Sequence, residues 1–183
     1  MSDTKGSAAT RQALLEAALR VVLRDGANTL TLDAVAHEAG LSKGGLLYHF
    51  PSKQALLLAL EQSSFDDFDR LLHQYMQEEQ KEKPGRWLRA YVKAASDPEQ
   101  LDLTSAMMVS LLKEPDLLQE LQQRFAAWQE RAVQDGVDPA LATLVRLAAD
   151  GLWFADLLGL GKPEGELRQR VLALLEELTT KEQ

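Results

Sequence analysis

Leu32-Asp33-Ala34-Val35-Ala36-His37-Glu38-Ala39-Gly40-Leu41-Ser42-Lys43-Gly44-Gly45-Leu46 is the stretch on which the reading of this 183-residue chain turns. Ala36, Gly40 and Leu46 take its fifth, ninth and fifteenth places. A helix-turn-helix makes a steric demand at each: a small residue where the helices cross, a residue that accepts positive φ in the turn, and a large apolar anchor for the second helix. By spacing alone, the same three residues also suit an ordinary helical hairpin. Thr31 stands where the first helix needs its N-cap, with Leu32, Val35, Ala36 and Ala39 as its apolar face, and Ser42 stands where the second helix needs one.

Outward from this stretch the signals remain helical. Upstream, Leu14, Leu15, Ala18, Leu19 and Val22 line one face of a helix predicted over Arg11–Arg24, which Gly26 stops. Downstream, the helix capped by Ser42 runs roughly to Phe50, and Pro51-Ser52 breaks the chain before a long helix from near Lys53 to about Glu79. Pro84-Gly85 opens a helix that carries Trp87, Leu88, Tyr91 and Val92 and ends around Asp97-Pro98. Others are predicted at about 101–113, 116–134, 139–158 and 165–180. No strand, internal repeat or low-complexity tract is evident. The expected fold is all-α, with a three-helix module over residues 1–52 and a larger helical domain over 53–183.

Hydrophobic residues at 45% and charged residues at 26% place the chain among ordinary globular sequences. The absence of cysteine excludes disulfides, thiolate metal sites and cysteine nucleophiles. Met1–Thr10 has no apolar run of the kind a secretory leader needs, and no segment approaches the roughly 20 apolar residues of a membrane span, so a cytoplasmic location is expected. The net charge of −8 hides an asymmetry. Residues 1–53 hold six Lys/Arg against five Asp/Glu, a net of +1, which leaves −9 for residues 54–183.

The run Ser42-Lys43-Gly44-Gly45-Leu46-Leu47-Tyr48-His49-Phe50-Pro51-Ser52-Lys53 closely resembles the end of the DNA-binding domain of the TetR family of repressors. The likeness spans roughly residues 10–57 and includes Thr31-Leu32-Asp33-Ala34-Val35-Ala36; beyond residue 57 it is one of helix number and length only. The resemblance implies a homodimer on near-palindromic double-stranded DNA. It implies phosphate contacts from Thr31, Ser42, Tyr48, His49 and Lys53, and base-edge reading by Lys43, Gly44 and Gly45. Hydroxyls, lysines and a helix N-terminus suit phosphate, and glycine permits close approach to the groove. Two positions depart from the family pattern: Gly45 stands where threonine is frequent, and Leu47 replaces the first of two aromatic residues.

Other candidates read as structural. Phe50 completes an apolar series with Leu46 and Leu47, and His37 reads as a solvated helix residue. Asp69 and His73 lie four apart on one helix, but two ligands without a third read as a surface pair. No metal site and no cofactor are expected. No nucleophile with its base, phosphate loop or pair of catalytic carboxylates is evident, so no enzymatic activity is expected.

In the second half, Leu144, Ala148, Gly151, Leu152 and Ala155 on one helix and Val171, Leu174, Leu175 and Leu178 on the last form apolar or small-residue stripes that need a partner surface. The resemblance implies a four-helix bundle with a second subunit; closure of the monomer's own core is the alternative. Trp87, Tyr91, Met107, Met108, Phe125, Trp128 and Trp153 read first as core and second as the lining of a pocket for an apolar or amphipathic small-molecule effector. The expected function is a DNA-binding transcriptional regulator, a repressor released by its effector. The alternative is a helical binding protein that does not act on DNA.

Overall fold

The computed structural model describes residues 3–26, 29–80, 83–97 and 115–180. They form eight helices and no strand: α1 (Asp3–Asp25), α2 (Leu32–Glu38), α3 (Lys43–His49), α4 (Lys53–Glu78), α5 (Arg86–Ala95), α6 (Pro115–Val133), α7 (Pro139–Leu158) and α8 (Gly165–Leu178). The all-α expectation holds. α1 begins at Asp3, well before the predicted Arg11. The helix expected at about 101–113, and with it Met107 and Met108, lies outside the described residues. Among the described residues, no helix is long and apolar enough to cross a membrane.

The chain divides into two compact units, the first reaching to Phe65 and joined by residues up to Leu118, the second formed by Asp66 to Asp102 and Gln119 onward. In the first, α2 packs on α1 and α3 on α2. Leu14, Leu15, Ala18 and Val22 are buried on α1 with Val35 and Ala36 of α2, Leu46 of α3 and Leu56 of α4. The periodicity read on α1 is therefore its core face. In the second unit, α5 is the central element and packs on both α7 and α8. Trp87, Leu88, Ala90, Tyr91, Val92, Ala94 and Ala95 are all buried, and so is Arg89 on the polar stripe of Arg86, Arg89 and Lys93, so α5 is amphipathic yet enclosed almost all round.

Candidate functional site

The recognition turn is built by local hydrogen bonds. Thr31 is in extended conformation and its hydroxyl accepts from the Ala34 N–H at 3.1 Å, starting α2. At the other end, the Leu41 N–H donates to the Ala36 carbonyl (2.9 Å) and the Gly40 N–H to that of His37 (3.1 Å). Those two bonds, six-to-one and five-to-two, are the Schellman closure, and they require the left-handed conformation that Gly40 adopts at φ +66°. Two residues beyond Gly40, the Ser42 hydroxyl accepts from the Gly45 N–H at 3.1 Å and starts α3. Phe50 leaves the helix in extended conformation, as the following Pro51 dictates, and Ser52 caps α4 through the Ala55 N–H at 3.0 Å.

This scaffold fixes which side chains face outward. Leu46 and Phe50 are buried, Leu47 is exposed and leaves the apolar series read in the sequence, and Tyr48 is 80% exposed with its ring edge-on to the half-buried His49 at 5.1 Å. Lys43, at the first turn of α3, is exposed and pairs with Asp33 of α2 at 2.9 Å. Gly44 is exposed, Gly45 half-buried, and a Cβ at either would meet only the Ser42 hydroxyl, at 3.9 and 3.4 Å. Thr31 and Ser42 are exposed and Lys53 is half-buried at the start of α4. Two features escaped the sequence reading. The Arg11 guanidinium lies 5.1 Å from the Phe50 ring centre, and Glu38 ties α2 to α1 through Arg24 (2.9 Å) and Arg20 (3.0 Å). The hydrogen bonds from Arg24 and then Arg20 hold the Glu38 carboxyl below the usual carboxylate range.

In the second unit, four of the rings singled out in the sequence form one cluster. Trp87 stacks on Tyr91 (4.9 Å), Tyr91 meets Trp128 edge-on (5.7 Å), and Phe125 meets Trp128 (5.0 Å). Phe68 of α4, absent from the sequence candidates, stands between Tyr91 (5.5 Å) and Trp128 (4.8 Å). Trp153 packs instead against its neighbour Phe154 at 4.7 Å. Asp69 pairs with Arg124 at 2.7 Å and lies 3.4 Å from the Trp128 indole nitrogen, so it is a tertiary tie, not half of a surface pair with His73. Among the described residues no group of three or more potential ligands could hold a metal.

A polar chain, also unanticipated, runs from the buried Tyr91, Asp150 and Arg146 to the half-buried Gln129 and Thr143. The Tyr91 hydroxyl donates to Asp150 (2.6 Å), Arg146 donates to Asp150 (2.5 Å) and to the Gln129 side-chain carbonyl (2.5 Å), and the Gln129 amide donates to Thr143 (2.7 Å). Burial pushes the Asp150 carboxyl up, against the opposing pull of Tyr91 and Arg146, and pushes the Tyr91 phenol up, reinforced by the Asp150 charge.

Two family models match the chain: the tetR family of bacterial regulatory proteins over residues 14–60, and the tetracyclin repressor-like C-terminal domain over residues 85–180. This chain belongs to the TetR family. That family is one of regulatory proteins, not of enzymes. By sequence this TetR-family chain is 38% identical over 63 residues to the transcriptional regulator RutR of Escherichia coli K12, a match covering 34% of this chain and 30% of RutR. It therefore spans under a third of that relative's length. By fold it is similar to a TetR-family member from Streptomyces coelicolor A3, with a TM-score of 0.69, 23% identity and coverage of 93% of this chain and 98% of that one. It is similar too to the multidrug binding protein EbrR complexed with malachite green, with a TM-score of 0.63, 23% identity and coverage of 92% and 97%.

Of the residues read as a dimer seam on this TetR-family fold's last two helices, those on α7 share its outer side, whereas on α8 Leu175 turns into the core of its own unit. On α7 the inward positions are Ala142, Val145, Arg146, Ala149 and Asp150. The opposite stripe carries Leu144 (59% exposed), Leu147, Ala148, Gly151, Leu152, Ala155 and Leu158. On α8, Leu167 and Leu174 (52% exposed) point outward, Val171 and Leu178 are half-buried, and Leu175 is buried inside the unit. Leu147 and Leu158 join the exposed set beyond the residues read from sequence, where Leu167 already opens the periodic stripe of the last helix.

Proposed function

We propose that this chain is a homodimeric transcriptional regulator that grips operator DNA through α3 and is released from it, as a repressor, when a small molecule binds the second unit. The glycine pair at the start of α3 carries the reading. Glycine in the middle of a helix costs about 0.5–1 kcal/mol relative to alanine, and among the described residues only the Ser42 hydroxyl comes within 4 Å of a Cβ placed at Gly44 or Gly45. Gly44 leaves room for a phosphate backbone or groove floor to approach the helix more closely than a side chain would permit, and Gly45, where the family frequently carries threonine, widens that opening. Lys43 reaches base edges from the same turn, while Thr31, Ser42, Tyr48, His49 and Lys53 border it as phosphate donors.

The outer stripe of α7 and α8 supports pairing with a second copy. Contiguous exposed leucines flanked by small residues mark an association surface, and a two-fold dimer presents two recognition helices to half-sites about 34 Å apart. The ring cluster offers an apolar environment for an effector, in keeping with the malachite green that EbrR holds, although that likeness carries the fold alone. Its leverage runs through α4, a single helix that begins at Lys53, just after α3, and carries Phe68 among the rings. A hundredfold loss of DNA affinity needs about 2.7 kcal/mol of coupling, within the range of one ligand.

A randomised-site selection on the parent and on variants tests the reading. Lys43→Ala is expected to change the preferred base at one position of each half-site, whereas Tyr48→Phe and Lys53→Ala weaken binding to all sequences alike, and the loss of the Lys53 charge flattens its salt dependence. No retention of the parent on mixed DNA at low salt would leave a helical binding protein that does not act on DNA. Leu174→Glu is expected to give a folded monomer by light scattering, with DNA affinity lost in parallel; a DNA-competent dimer would place the seam elsewhere.

A further inference from the structure

A cleft of about 430 Å³ opens where the end of α4, the start of α5 and the α6–α7 loop come together. Its floor is fixed without any ligand. The Asp135 carbonyl accepts the Gly85 N–H (2.8 Å) and its carboxylate accepts the Trp87 (3.0 Å) and Leu88 (2.9 Å) N–H groups, so the loop after α6 is pinned to the first turn of α5. Gly85 has φ +75°, where a Cβ would strike Thr179, and Gly136 packs so that a Cβ would lie 3.4 Å from Pro84. Met76, Pro84 and Trp87 make the lining partly apolar.

The charge on the lining is the anomaly. In a chain of net charge −8, Lys83, Arg86 and Arg131 all face this one cleft. Arg86 is committed, since its guanidinium donates to the Met76 carbonyl and closes the last turn of α4. Among the described residues, the side chains of Lys83 and Arg131 have no hydrogen-bond or ion-pair partner. The Asp135 carboxylate lies on the same lining, accepts the α5 N–H groups and interacts with the Arg131 charge, but one carboxylate against Lys83, Arg86 and Arg131 leaves the lining net positive.

We propose that this cleft is a binding site for a small organic anion, a carboxylate or phosphate ester on a flat apolar body, with its charge held by Lys83 and Arg131 and its body laid against Trp87 and Met76. A guanidinium and an ammonium on the lining of one partly apolar recess match that class: the planar fork of arginine takes two anion oxygens at once, and a preformed floor lowers the ordering cost of binding. The site lies wholly within the second unit and depends on neither DNA nor a second copy, so it stands or falls independently of the proposed function.

The test uses the full chain without DNA and follows the assigned indole N–H signals of Trp87, Trp128 and Trp153 by nuclear magnetic resonance. Benzoate is expected to give a saturable shift centred on Trp87. Benzamide, of the same shape but uncharged, is expected to bind at least tenfold more weakly, and inorganic phosphate, which lacks the apolar body, more weakly than benzoate. The variant carrying Lys83→Ala and Arg131→Ala is expected to lose at least tenfold in benzoate affinity; both positions are exposed, and circular dichroism checks that the fold is kept. Equal binding of benzamide and benzoate, unchanged affinity in the double variant, or no saturable shift at Trp87 would overturn the proposal. Phosphate binding as tightly as benzoate would overturn its assignment to organic anions.

Discussion

The helix starts of the first unit from α2 on are all secured locally, whereas that of the central helix of the second is not. In the first, α2, α3 and α4 each begin at a hydroxyl that accepts an N–H three residues ahead: Thr31 from Ala34, Ser42 from Gly45, Ser52 from Ala55. In the second, α7 also starts locally, Asp138 accepting from Leu141 at 2.9 Å, but α5 begins at a carboxylate 48 residues away in sequence, that of Asp135 on Trp87. The same contrast holds for charge. Lys43 and Asp33 meet across ten residues on an exposed face, where a pair contributes about 0–1 kcal/mol, whereas Tyr91, Arg146 and Asp150 are sealed inside across as many as 59. Local devices act in water and each is worth little. Enclosed ones, whether between distant residues such as Tyr91 and Asp150 or four apart such as Arg146 and Asp150, act once the fold has closed, so removing one partner strands the other.

The largest effect is therefore expected at Asp150. Asp150→Ala leaves the Arg146 guanidinium buried without its carboxylate, and urea unfolding should register a loss of about 3–5 kcal/mol. Replacing both residues, as Arg146→Met with Asp150→Leu, should restore most of that. If the single substitution costs no more than a surface change, water reaches Arg146 and the contrast between the units fails at its strongest point.

Next come the caps, measured against each other. Asp135→Ala orphans two half-enclosed N–H groups and is expected to cost about 2 kcal/mol, against about 1 kcal/mol for Ser42→Ala. Amide exchange localises both. The Trp87 and Leu88 amides should quicken in the first variant and the Gly45 amide in the second. Equal costs would mean that distance along the chain says nothing about the strength of a cap.

The smallest expected effect is a pH dependence. Burial alone would raise the Glu79 carboxyl, but hydrogen bonds from Arg89 and Lys93, both 2.7 Å, outweigh it and hold the group below its ordinary value of 4.5. A carboxyl depressed in the folded state contributes stability above its unfolded value and loses it as the pH falls through the folded one. Unfolding free energy should thus drop as the pH falls below about 4.5, and Glu79→Gln should flatten that drop. An unchanged slope in the variant would assign acid sensitivity to other groups.

The difference between the units also explains what is legible in the residues alone. The turn at Gly40, the caps at Thr31 and Ser42, the α1 core face and the anchor at Leu46 can all be read, because each rests on residue types a few places apart. Leu47 is misplaced by its pattern, since periodicity says that a residue is apolar, not that room exists for it. Phe68 escapes notice because it and Phe65 lie in a mostly polar stretch of α4, and Asp150 and Arg146 because charges on an apolar helix show no sign of being paired inward.

By itself the sequence determined the helix-turn-helix, the run of helices and the family resemblance, since hydrogen bonds across three to six residues and a 3.6-residue period leave their record in residue types at short range. Only the tertiary structure decided which apolar stripe faces the core and which faces out, as at Leu175 and Leu174 on one helix. It also decided that Asp135 caps a distant helix and that Lys83 and Arg131 share a cleft. Burial and pairing across dozens of residues depend on how helices are docked, and no local pattern encodes the docking.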